Sequence, residues 1–128
     1  MMSTAQPQPS KLLSGQRVLV IEDEWFIAED IRSAIENLGG EVVGPVAECD
    51  DALALIAESV SIDLAVIDIN LQGQMCFPVA DALAARGTPF VFATGYEPSA
   101  IPERFLSIRR WEKPFDQDAL ARSLVDER

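Results

Sequence analysis

From residue 17 onward, apolar residues fall into short blocks of two alternating kinds. Arg17-Val18-Leu19-Val20-Ile21 is a continuous apolar run of the kind found in strands covered on both faces. Ile27, Ile31, Ala34, Ile35 and Leu38 then recur at helical spacing, and Gly39-Gly40 supplies a stop. Glu41 to Ala47 predicts a second strand, and Gly44-Pro45 inside it suits an edge position. Asp50 is placed to cap a helix whose apolar stripe is Leu53, Ile56, Ala57 and Val60. Leu64 to Ile67 reads as the third strand and Pro78 to Arg86 as a helix with proline at its first position. Pro89 to Ala93 is the fourth strand and Arg109 to Lys113 a weaker fifth. Asp116 then caps a last helix carrying Ala119, Leu120 and Leu124.

Strands alternating with helices imply an α/β fold with a parallel sheet of five strands and helices on both faces, because parallel neighbours need crossover connections. One segment breaks the alternation. Pro98 and Pro102 oppose a regular helix between Glu97 and Leu106, so a loop or at most one short turn is expected where a fourth helix is due. Residues 1–14 are polar and proline-bearing and read as a disordered tail, leaving 15–128 as one domain, which is all that 128 residues accommodate.

The anomaly in this pattern is Asp68, a lone carboxylate in the apolar run Leu64-Ala65-Val66-Ile67-Asp68-Ile69-Asn70-Leu71. A charge there costs several kcal/mol unless something pairs with it. The other candidates stand at equivalent places: Glu22-Asp23 after strand one, Thr94 at the end of strand four, Lys113 at the end of strand five. Each has a bland alternative. Acids after a strand favour the start of the next helix, Thr94-Gly95 suits a turn, and Lys113-Pro114 suits a solvated lysine. In open α/β sheets, however, ligands bind beyond the carboxyl ends of the strands, and four polar strand ends in succession point to one shared site.

Charge narrows the classes. The chain has 10 basic and 21 acidic residues, a net charge of −11 and no histidine. That balance opposes a nucleic-acid or anionic-membrane footprint and suits a basic partner or a cation site. Lack of histidine excludes imidazole-dependent triads. Cys49 and Cys76 show neither metal-ligand spacing nor a disulfide framework, consistent with reduced thiols. The N-terminal residues lack a signal-peptide pattern, and no apolar segment reaches the roughly 18 residues of a membrane span, so a soluble cytoplasmic protein is expected.

Three carboxylates brought together raise one another's pKa unless a cation sits among them, and Mg2+ is the hard ion that takes carboxylates, water and a phosphate oxygen. Metal, lysine and hydroxyl form a phosphate-binding set, and an aspartate can serve as the nucleophile in aspartyl-phosphate chemistry. The pattern points to phosphoryl transfer onto Asp68.

At this point the chain resembles the receiver domain of two-component response regulators. The resemblance covers Gln16 to Glu127 and rests on Val18-Leu19-Val20-Ile21-Glu22-Asp23-Glu24, Val66-Ile67-Asp68-Ile69-Asn70-Leu71, Phe92-Ala93-Thr94-Gly95-Tyr96 and Lys113-Pro114-Phe115. It implies a flavodoxin-like (βα)5 three-layer sandwich with strand order 2-1-3-4-5. It also implies Asp68 as phosphoacceptor, Asp23 as a direct Mg2+ ligand, Glu22 as a ligand through water, and Asn70 as a ligand through its backbone carbonyl. By the same resemblance, Thr94 binds and senses the phosphoryl group, Lys113 pairs with it, and Lys113-Pro114 is cis, where the residues alone suggest the commoner trans isomer.

Pro89-Phe90-Val91-Phe92-Ala93-Thr94-Gly95-Tyr96 is similar to the signature of the narrower FAT GUY receivers. This group is frequently stand-alone and served by sensor histidine kinases of the HWE and related classes. The implied donor is such a kinase or a histidine phosphotransfer protein; the proline-bearing segment beside Thr94 adds the expectation that phosphorylation changes the surroundings of Thr94 and orders the 96–106 loop. Two features depart from the general receiver pattern: Arg110 stands where Tyr or Phe is usual, and the fourth helix is interrupted. Two other classes remain. One is a small aspartyl-phosphate phosphatase-like enzyme, although such enzymes usually carry a second acid where Asn70 stands. The other is a receiver that binds partners without phosphorylation. A monomer or weak dimer is expected, with Trp111 as a partly buried packing residue rather than a dimer face.

Overall fold

In the computed structural model, residues 12–58, 61–95 and 101–128 are described. The strands are β1 (Arg17–Ile21), β2 (Glu41–Val46), β3 (Leu64–Ile67), β4 (Asn70–Leu71), β5 (Gln74–Met75), β6 (Phe90–Thr94) and β7 (Arg110–Glu112). The helices are α1 (Trp25–Asn37), α2 (Cys49–Ala57), α3 (Phe77–Arg86) and α4 (Gln117–Ser123). Five strands form one parallel sheet in the order β2-β1-β3-β6-β7, the expected 2-1-3-4-5 arrangement once the small β4–β5 hairpin is set aside. This is the flavodoxin-like fold.

The continuous apolar runs become the central strands β1, β3 and β6, and alternate side chains feed two cores. Val18, Val20, Leu64, Val66, Val91 and Ala93 pack under α1 and α4, while Leu19, Ile21, Ala65, Ile67, Phe90 and Phe92 pack under α2 and α3. Both faces of the sheet are therefore covered, which explains why these strands read as unbroken apolar blocks. β2 is an edge strand as Gly44-Pro45 implied, and its register with β1 shifts between Leu19 and Ile21. Gly44 sits there at φ 95°, where an added Cβ would meet the Val46 backbone nitrogen at 2.8 Å.

Several boundaries differ from the pattern reading. Leu13, which the sequence pattern places in the tail, is fully buried in the core under α1, with its N–H donating to Leu38 O at 2.8 Å. Residues 1–11 lie outside the described residues. Asp50 does not cap α2: the N-cap is Glu48, and Asp50 lies in the first turn, where its charge favours the helix dipole instead. Ala57 is exposed rather than part of the stripe, and Val60 lies outside the described residues. Helix α3 opens one residue early at Phe77, so Pro78 is its second position, and Gly87 closes it at φ 74°. β7 is trimmed to three residues, while Asp116 caps α4 as expected, accepting from the N–H groups of Asp118 and Ala119.

Where a fourth helix was due, the described part of the segment holds a single 3-10 turn, Glu103–Phe105. Phe105 plugs the gap over the sheet, its ring centroid 5.8–6.2 Å from those of Phe77, Phe90 and Phe92. Arg104 lies 4.5 Å over the Phe105 ring and clasps Asp81 of α3 through two 2.9 Å hydrogen bonds. Aromatic burial thus replaces helix packing. Trp111 is partly buried beside Phe115, as a packing residue would be.

Candidate functional site

The carboxyl ends of β1, β3, β6 and β7 meet at one cavity of about 450 Å³ lined by Asp23, Glu24, Asp68, Asn70, Gln72, Thr94, Gly95 and Lys113. Glu22, at the same end, is 3% exposed, as is Asp68, and Thr94 is 1% exposed. All of the residues expected from the sequence are therefore brought together: Glu22, Asp23, Asp68, Asn70, Thr94 and Lys113.

The register explains the convergence. Ile21 pairs with Ile67 and Ile67 with Phe92, so the chain leaves β1 and β3 side by side, and the Asp68 N–H donates to Ile21 O at 2.8 Å. Thr94 O accepts from the Lys113 N–H at 3.1 Å, and Lys113-Pro114 is cis, as the resemblance implied. Lys113 Nζ then reaches Asp68 Oδ2 at 2.9 Å, Glu22 at 3.0 Å and Glu24 Oε1 at 3.0 Å. The carboxylate isolated in the sequence is paired in space by a lysine 45 positions away.

One ammonium does not offset all this negative charge. Burial, and then the neighbouring Asp68, push Glu22 up to about 8. Burial likewise raises Asp68, opposed by its hydrogen bond to Lys113. Burial acts to lower Lys113, but its hydrogen bonds to Asp68, Glu22 and Glu24 outweigh this and hold it above its ordinary value, so it stays charged. The set is short of one cation.

The donor chemistry fits a hard divalent ion. Oxygens of Glu22, Asp23 and Asp68 lie within 4.8 Å of one another. Glu22 Oε1 is buried, and although 3.0 Å from Lys113 Nζ it lies outside hydrogen-bonding geometry and has no hydrogen-bond partner. An all-oxygen cluster with a buried, unsatisfied acceptor suits Mg2+ or Ca2+ and no soft metal.

Two contributors were not foreseen. Gln72 and Gly73, at φ 54° and 87°, form the two-residue turn of the β4–β5 hairpin, and the Gln72 N–H donates to Asp23 Oδ2 at 2.8 Å. Asn70 Oδ1 accepts from the Gly73 N–H at 2.8 Å, while the Asn70 N–H donates to Asp68 Oδ1 at 3.0 Å. The hairpin thus ties both acids in place. Its one sequence signal was a glycine between two-residue flanks, too short to show alternation. The other is Glu24, the third acid of Glu22-Asp23-Glu24, which the strand-end argument did not single out.

No family model matches the chain. The Phyllosphere-induced regulator PhyR of Methylorubrum extorquens is 35% identical over 100 residues, 77% of this chain but 36% of that protein, so the chain spans about a third of it. SdrG from Sphingomonas melonis Fr1 is 40% identical, covering 88% of this chain and 94% of that one at a TM-score of 0.74. A BeF3-activated conformation of SdrG is also 40% identical, with coverage of 87% and 94% and a TM-score of 0.71. The CheY-like response regulator receiver domain from Methylobacillus flagellatus is 25% identical, with coverage of 82% and 92% and a TM-score of 0.68.

Proposed function

The chain belongs to the receiver domains of response regulators, and from that premise we propose that Asp68 accepts a phosphoryl group from a phosphohistidine in a Mg2+-dependent reaction. The observation that carries this reading is the buried Asp68 carboxylate 2.9 Å from Lys113 Nζ, at the mouth where four strand ends meet. Similarity to SdrG supports it, because that protein has a BeF3-activated conformation and beryllofluoride stands in for a phosphoryl group on a carboxylate.

In the reaction an Asp68 carboxylate oxygen attacks phosphorus. An O–P bond forms, the N–P bond of the phosphohistidine breaks, and its electron pair stays on the imidazole, which leaves as the neutral ring because its other nitrogen already carries a proton in the donor. Asn70 and Lys113 hold Asp68 through its two oxygens, so the nucleophile is fixed before the donor arrives. Asp23, Asp68, the Asn70 carbonyl and, through water, Glu22 would hold Mg2+, which when bound would supply positive charge for the phosphoryl oxygens. Lys113 pairs with those oxygens, and Thr94, buried at the end of β6, meets the group with its hydroxyl and carries its presence into the sheet. The change that follows begins at Thr94. The 96–106 loop proposed to respond includes residues 96–100, outside the described residues.

The protein acts as a signalling module rather than a turnover enzyme: the Asn70 side chain, where a phosphatase would carry its second acid, is bound into the hairpin turn. The donor is a sensor histidine kinase of the HWE or a related class, or a histidine phosphotransfer protein. Among the described residues no helix is long and apolar enough to cross a membrane, and the proposed setting is cytoplasmic. Phosphotransfer from autophosphorylated sensor kinases of the source organism tests the reading. Label should pass to the wild type from at least one kinase and not to Asp68→Asn, and transfer to both proteins alike would overturn it.

A further inference from the structure

The three carboxylates on Lys113 are not equivalent. The side chains of Glu22 and Asp68 are 1% and 4% exposed, but that of Glu24 is 62% exposed. Glu24 stands at the N-cap position of α1 and makes no side-chain capping hydrogen bond, so its contact with Lys113 is not a by-product of helix capping. Glu24 and Lys113 also line two cavities at once. One is the cavity around Asp68; the other, about 280 Å³, lies along Ile27, Pro114, Phe115 and Gln117. The Glu24–Lys113 pair is thus common to the linings of both cavities.

A lysine ammonium has three N–H donors, and here all three face carboxylates. For Lys113 to take a phosphoryl oxygen, one of these contacts must break. Glu22 and Asp68 are locked in the interior, whereas Glu24 can exchange Lys113 for water at little cost. We propose that Glu24 is a displaceable latch on Lys113: it occupies the ammonium in the resting state, repels small anionic phosphodonors, and swings out when the phosphoryl group arrives. Glu24 is a positioning residue that acts through Lys113. The inference rests on Asp68 being the phosphoacceptor.

Acetyl phosphate with Mg2+ is the probe. An Asp68 oxygen forms the O–P bond, the P–O bond to the acetyl group breaks, and acetate leaves with the electron pair. Glu24→Gln removes the charge and no capping bond, and circular dichroism checks its fold. The rate of phosphoryl mass gain should rise roughly twofold to fivefold, the equivalent of one exposed charge pair. The gain should shrink in about 0.5 M salt, where the screening length falls to a few ångströms. Beryllofluoride affinity, which involves no leaving group, should tighten by a similar factor. A folded Glu24→Gln with wild-type rate and affinity, or a gain that salt does not attenuate, overturns the latch while leaving Asp68 as acceptor. No phosphoryl gain on the wild type overturns the reading of Asp68 and the latch together.

Discussion

Asp68 is tolerated in the interior because Lys113 stands against it, and the pair is worth more as a unit than as parts. Removing one partner of a buried ion pair strands the other. Lys113→Met should therefore lower stability by about 3 kcal/mol at pH 8 without metal, as read by urea unfolding, even though methionine fits the space. Near pH 5, where Glu22 is protonated, the cost should be smaller. An equal loss at both pH values would contradict the charge argument.

The raised pKa of Glu22, at about 8, and of Asp68 gives the wild type a pH signature. A carboxyl raised in the folded state binds more protons folded than unfolded, so its stabilising contribution is full below about 4.5 and is lost as pH rises through about 8. In EDTA the thermal midpoint should fall between pH 5 and pH 8. Millimolar Mg2+ should flatten that slope, because the cation replaces the proton as the neutralising charge. A midpoint that rises over the same interval, or ignores Mg2+, would count against this electrostatic picture.

Among the elements, the β4–β5 hairpin carries the least expected function, since it orders Asp23 and Asn70 with backbone groups alone. Both turn residues need positive φ, which Asn meets more readily than Gln. Gln72→Asn should stabilise the protein by about 0.5 kcal/mol in urea unfolding without weakening Mg2+ binding. Asp23→Ala should lose both the hairpin anchor and metal affinity.

What the sequence made legible follows from length. β1, β3 and β6 are buried on both faces and announce themselves as apolar blocks, so their polar ends could be named before the fold was known. The hairpin strands are two residues each, below the reach of any periodicity. Asp50 misled because Asp51 and Cys49 lie beside it and any of several starts would suit α2. Leu13 was hidden by its polar, proline-bearing neighbours: only the fold shows a leucine pinned to Leu38. Glu24 could not be separated from helix-start chemistry until Lys113 was seen across 89 positions of sequence.

At the scale of the whole molecule, a parallel sheet covered by α-helices and an aromatic plug places a cation-poor site on a strongly acidic body. The net charge of −11 raises the local concentration of divalent cations and of basic partner surfaces around that site. Its most direct test is incubation with acetyl phosphate followed by intact-protein mass and peptide mapping, with Mg2+ or EDTA. The account predicts one phosphoryl group per chain on wild type, located at Asp68, dependent on Mg2+ and absent from a folded Asp68→Asn. Phosphoryl gain on Asp68→Asn equal to wild type, or none on folded wild type with Mg2+, would contradict it.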